Sequence, residues 1–155
     1  MTRAKIFNNI PLSSPRPWGC FYNAATYYRY VSLDLGQLAD TIGLEDVGTA
    51  VEAFTKALYI AVPSARQTTQ TALCPWNYAH VYVRKGQGMQ VCFDEPVKPR
   101  GGYLAPSIEA LEQRLELQER LAGSLFGKKA DFVFGKDETF TIDALAQALA
   151  EQVRP

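Results

Sequence analysis

The sequence is poor in the residues on which most enzymes depend. It holds one histidine and three cysteines in 155 residues. Cys20, Cys74 and Cys92 are widely separated, odd in number and form no C-x-x-C pair. That pattern argues against a disulfide framework and a zinc knuckle, and it favours a reducing, cytoplasmic setting. No G-x-x-x-x-G-K-[ST] phosphate loop, G-x-G-x-x-G turn or G-x-S-x-G elbow occurs, so phosphate-loop, dinucleotide and serine-hydrolase chemistry lack their signatures. No run approaches the roughly 20 apolar residues of a membrane span, and the N-terminus has no apolar signal region. No cofactor, metal or membrane partner is implied.

Acids are missing from two blocks. Residues 1–33 carry Arg3, Lys5, Arg16 and Arg29, and residues 53–93 carry Lys56, Arg66, Arg84 and Lys85, with no Asp or Glu in either. Between them lie Asp34, Asp40, Glu45, Asp46 and Glu52. Net charge is zero, so the chain is no general polycation. If the two blocks meet in space, they give a locally positive surface; acids also avoid buried strands, which accounts for the pattern equally well.

What is present is enough apolar material, 47% AVILMFWYC, for one core. Segment 7–20, FNNIPLSSPRPWGC, is broken by Pro11, Pro15, Pro17 and Gly19 and reads as a projecting loop. It leads into strand 27–33, with Tyr27, Arg29, Val31 and Leu33 facing one way and Tyr28, Tyr30 and Ser32 the other. A helix over 35–42 ends at Gly43. A second, 46–62, has Val47, Val51, Phe54, Leu58 and Ala61 at helical spacing and stops at Pro63. Strands follow at 76–84 and 89–93 across the turn KGQG. Pro106 opens a helix with Ile108, Leu111, Leu115, Leu121 and Leu125 on its apolar side. Strand 132–134 precedes a last helix capped by Thr141, with Ile142, Leu145, Leu149 and Val153 inward. The order β-α-β-β-α-β-α predicts an α+β fold, a ferredoxin-like or RRM-like sandwich with an antiparallel sheet and helices on one face.

Two stretches could carry function. In 76–84, Tyr78, His80 and Tyr82 share a strand face near Lys85, a set that could cleave RNA without metal; the plainer account is that His80 is a hydrogen-bonded packing residue. In FYNAATYYRYVSLDL, 21–35, exposed rings could stack bases while Arg29 meets phosphate, although Tyr and Phe also favour ordinary strands.

Four motifs then occur in order: Tyr27-Tyr28-Arg29-Tyr30; Val62-Pro63-Ser64-Ala65-Arg66-Gln67 with Ala72; Phe93-Asp94-Glu95-Pro96-Val97; and Gly102-Tyr103-Leu104-Ala105-Pro106-Ser107-Ile108. Over roughly residues 20–125 this set resembles the C-terminal half of the Cascade backbone subunit of type I-E CRISPR systems, the CasC family of the RAMP superfamily. The resemblance implies a non-catalytic subunit in antiviral defence that binds the CRISPR guide RNA and contacts target DNA only indirectly. Copies would assemble along the guide beside other Cascade subunits. It assigns residues 1–26 to a thumb-like projection and 27–155 to an RRM-like portion. Trp18 or Pro15 would wedge between bases. Arg16, Tyr28, Arg29, Tyr30, Arg66, Gln67, Thr68 and Lys98 would hold the strand with Trp18, largely through sugar and phosphate. Family members are about twice this length, so the resemblance implies a fragment, a natural half or a shortened relative whose sheet edge invites association. The alternatives are a RAMP-type endoribonuclease using His80 and an assembly domain that touches no nucleic acid.

Overall fold

The computed structural model describes residues 26–61, 75–93, 97–98 and 101–154. Four helices, α1 (Leu35–Ile42), α2 (Val47–Ile60), α3 (Leu104–Ala122) and α4 (Ile142–Val153), accompany two strands, β1 (Ala79–Arg84) and β2 (Lys128–Phe134). The strands pair antiparallel, with Val81 opposite Phe132 and Tyr82 opposite Asp131. The fold is α+β, compatible with part of a ferredoxin-like sandwich. Among the described residues no helix is long and apolar enough to cross a membrane.

The helix ends follow from local chemistry. Asp34 caps α1 by accepting from the Gly36 and Gln37 amides at 2.9 and 3.1 Å, and Gly43 at φ +90° ends it. Thr141 caps α4 by accepting from the Ala144 amide at 3.2 Å. These side chains satisfy donors that the first helical turn leaves unpaired.

The core forms where α2 and α4 pack. Val47 and Val51 meet Leu145 and Leu149, and Leu145 has no solvent exposure. The helices come close because the facing positions are small: Gly48, Ala146 and Ala150 are all buried, and a Cβ on Gly48 would press on Arg154 and the Ala150 carbonyl. Lys56 of α2 adds ion pairs to Glu52 at 2.8 Å and to Asp143 of α4 at 3.0 Å. Val81, Val83, Phe132 and Phe134 lay one sheet face on this pair. Trp76 joins Tyr59 and Phe134 in edge-on contacts at 5.3 and 5.5 Å and donates its indole N–H to the Leu58 carbonyl at 3.3 Å. Close backbone crossings clamp both ends of β2, since side chains on Gly127 or Gly135 would strike the carbonyls of Lys85 and Asn77.

Several expected features differ. Residues 27–33 and 89–93 form no ladder. Gly86, at φ +119°, turns the chain away from β1 after Lys85, and strand character needs a bonded neighbour as well as alternation. β1 starts at Ala79 and not 76, and β2 reaches back to Lys128. On α2 the buried stripe is Val47, Gly48, Val51 and Thr55, leaving Phe54 outward. On α3 only Leu115 is buried, while Leu121 is 77% exposed and Leu125, past the helix end in the 3-10 turn Gly123–Phe126, is 85% exposed. Leu121 follows Leu115 by six residues, about 240° around a helix of 3.6 residues per turn, so it faces away.

Leu145→Ala should cost about 2–5 kcal/mol, because rigid helix backbones on both sides cannot collapse into the void. Gly135→Ala should also destabilise, by about 1–3 kcal/mol, since its left-handed backbone and the Asn77 carbonyl both oppose a side chain. Urea unfolding monitored by circular dichroism measures each; a loss under 1 kcal/mol for Leu145→Ala would place the core elsewhere.

Candidate nucleic-acid interface

The tyrosine-rich segment keeps its alternation without a strand's hydrogen bonds. Tyr28 packs edge-on against Phe93, ring centroids 5.4 Å apart, and hydrogen-bonds the backbone of Val91. Farther along, Tyr30 and Ser32 close on Gly88, where a Cβ would collide with both hydroxyls. Residues 28–32 therefore run beside 88–93 in the opposite sense. Burial against this neighbour pushes the Tyr28 phenol above its ordinary range, against the Val91 hydrogen bond that would lower it. Tyr28 and Tyr30 still show 42% and 37% of their surface, enough ring to meet a base.

Arg29 points the other way. Its guanidinium donates to the carbonyl of Ala61 at 3.3 Å, the residue that caps the C-terminus of α2. A cation at that end complements the helix dipole. The contact joins the first acid-free block to the second: Arg29 stands where the chain leaves α2 for residues 62–74. Arg66, Gln67 and Thr68 lie in that stretch, outside the described residues; Arg16, Trp18 and the rest of residues 1–25, expected from the sequence to project, lie outside them as well. Lys98 is exposed.

Not every cation of the blocks is directed outward. Lys56 is spent on Glu52 and Asp143. Arg84 donates to the Phe126 carbonyl at 2.7 Å and lies over the Phe126 ring at 4.3 Å. Phe93 packs on Tyr28 and Ser32 closes on Gly88, although sequence reasoning assigned neither a site role. The alternation of Met89, Val91 and Phe93 carried a usable signal, and Val91 is buried.

The second candidate set does not assemble for catalysis. Tyr78 donates to Glu112 at 2.6 Å and does not orient His80. His80 stacks on Tyr82 with centroids 4.4 Å apart, and both its ring nitrogens are sealed from solvent with no hydrogen-bond partner among the described residues. Burial lowers the His80 pKa below its ordinary value, outweighing the attraction of Asp131 and Glu112. Burial alone would raise the Glu112 carboxyl, yet hydrogen bonds from Lys136 and Tyr78 bring it below the ordinary carboxylate range. Burial first, then Glu112, raises the Tyr78 phenol. His80 is a packing residue, as the plainer account held, but not a hydrogen-bonded one. Among the described residues no group of three His, Cys, Asp or Glu side chains could hold a metal ion.

Residues 20–153 match the family model described as CT1975-like protein. Among curated proteins none matches the chain.

Because Arg29 is exposed and makes one surface contact, Arg29→Ala should move stability by no more than about 0.5 kcal/mol. Denaturant midpoints for wild type and variant check this; a larger loss would make Arg29 a structural residue.

Proposed function

We propose, since the chain belongs to the CT1975-like family of CRISPR-associated proteins, that it is a non-catalytic RNA-binding backbone subunit of a Cascade-type surveillance complex. On this reading it grips the guide strand through sugar and phosphate, repeats along the guide, and stands among further Cascade subunits in the cytoplasm. On the same reading residues 1–26 act as a thumb against the RRM-like remainder, and the motifs resemble those of the type I-E subunit.

One observation carries the proposal. Arg29 sits at the C-terminal end of α2, at the root of the stretch that holds Arg66 and Gln67, and the ring of Tyr27, which shares its side of the alternation, is 78% exposed. Stacking surfaces next to cations form an interface indifferent to base identity, and a subunit that serves any guide needs that indifference. A nuclease working through His80 has no comparable support: Tyr78 donates to Glu112 instead of orienting His80, and among the described residues no side chain hydrogen-bonds the imidazole to position it for proton transfer.

Filter binding to single-stranded RNA over a range of salt tests the proposal. Wild type should bind, and Arg29→Ala and Arg66→Ala should each weaken binding for all sequences alike. Each lost phosphate contact should lower the salt slope by about 0.7. Absent affinity, or affinity indifferent to both substitutions, would overturn it.

A further inference from the structure

On the far side of the sheet α3 is tied down in a manner unlike the α2–α4 joint, over strand residues that stay partly exposed. Leu115 is the only α3 residue fully buried, and polar groups supply much of the hold. Glu112 accepts from Tyr78 at 2.6 Å and pairs with Lys136 at 2.7 Å. Glu119 pairs with Lys128 at 2.5 Å, and Gln118 donates to the Gln90 carbonyl at 3.3 Å. The helix lies between glycines: Gly101 and Gly102 precede it, and Gly123, at φ +52°, ends it with open space around its Cα. Just beyond, Phe126 is fixed by Arg84, which hydrogen-bonds its carbonyl and covers its ring. Beneath this arrangement lies His80, with both ring nitrogens enclosed and unbonded.

We propose that α3 is a proton-triggered latch: uptake of one proton by His80 releases the helix from the sheet, pivoting at Gly123 while Phe126 stays anchored, and bares the Tyr78–His80–Tyr82 face. The proton comes from solvent and goes to a ring lone pair; no other covalent bond changes, and the hydrogen bonds and ion pairs of Glu112, Gln118 and Glu119 are exchanged for water. An imidazolium has two N–H donors to satisfy, and among the described residues neither ring nitrogen has an acceptor within hydrogen-bond distance; the unbonded Gln118 Oε1 on α3 does not reach them. On α3, Glu112 is engaged by Tyr78 and Lys136. On β2, Asp131 is within 3.4 Å of Lys128. Lys128 and Lys136 oppose a positive ring, and Tyr82 on β1 presents its own ring. Helices α2 and α4 pack on the opposite sheet face. A charged His80 is therefore accommodated by opening, which admits water to both nitrogens.

The direction of the pH effect is set by the lowered pKa of His80. Closure is fully stable above the ordinary histidine value, about 6.5, and weakens as pH falls through it, by up to tenfold in the closing equilibrium per pH unit. Glu112, whose pKa is also lowered, stays ionised through that window and contributes its own loss only at more acidic pH.

Hydrogen–deuterium exchange of the full chain at pH 7.5 and 5.5, corrected for intrinsic rates, reads the latch directly. Protection over 104–122 should fall by up to roughly tenfold per pH unit below 6.5, while α2 and α4 keep theirs. His80 is the chain's sole histidine, so its ring proton is an unambiguous NMR probe and should titrate below 6.5. His80→Phe should abolish the response, and Glu112→Gln should loosen α3 at both pH values while preserving it. Equal protection of α3 at both pH values, parallel loss across α2 and α4, or a full response in His80→Phe would each overturn the latch. The wild-type comparisons decide the matter even where the variant folds poorly.

Discussion

The rest of the structure depends on the close approach of α2 and α4. Gly48, Ala146 and Ala150 leave room for the two backbones to near each other, and that nearness lets Val47, Val51, Leu145 and Leu149 exclude water. Small contact residues bring helix axes together, and dispersion then acts over many atoms at once. The two-stranded sheet is too small to stand alone; it persists because Val81, Val83, Phe132 and Phe134 lie on this helix pair. Successive strand residues face opposite sides, so committing those four to the helices commits Tyr78, His80 and Tyr82 to the other face. The character of the His80 face is thus a consequence of where the core formed.

How much was legible in the sequence follows from the range of the forces involved. The ends of α1 and α4 were readable because a cap involves neighbours: Gly43 and Thr141 act within a few residues of themselves. The inward stripe of α4 was readable for the same reason, since periodicity is local. Residues 27–33 and 89–93 were misread as strands because alternation shows which side chains share a face, while a ladder needs a partner at the right distance. The two segments do run beside each other, with Tyr28 at Phe93 and Tyr30 at Gly88, so the alternation was right even where the element was not. Leu121 misled because a run rich in leucine looks apolar throughout, and only the 100° step shows that it points away.

The candidate site divides in the same way. That Arg29 and the flanking tyrosines take opposite sides was visible in the pattern. That Arg29 meets Ala61, 32 residues on, was not, because no local rule relates a strand-like arginine to a distant helix end. His80 shows the limit most sharply. Tyr78 lies two residues away and could have been its partner, but the phenol turns to Glu112, 34 residues further along. Whether a buried histidine is satisfied depends on what the chain brings to it, and here it brings Tyr82's ring and, among the described residues, no hydrogen-bond partner.

Net charge is a poor guide to such a surface. The chain is neutral in sum, yet several of its cations are consumed inside the fold: Lys56 ties α2 to α4, Arg84 holds Phe126, and Lys128 and Lys136 hold α3. Their acidic partners are consumed with them, so these pairs contribute little field beyond a Debye length. What solvent meets along the tyrosine-rich segment is Arg29 and three rings, with Asp34 spent on capping α1. On the proposed reading, rings beside Arg29 add stacking to its phosphate contacts, so that an interface of this kind does not require a positively charged protein. The two acid-free blocks matter less for the charge they add than for the carboxylates they keep away from the place where they join.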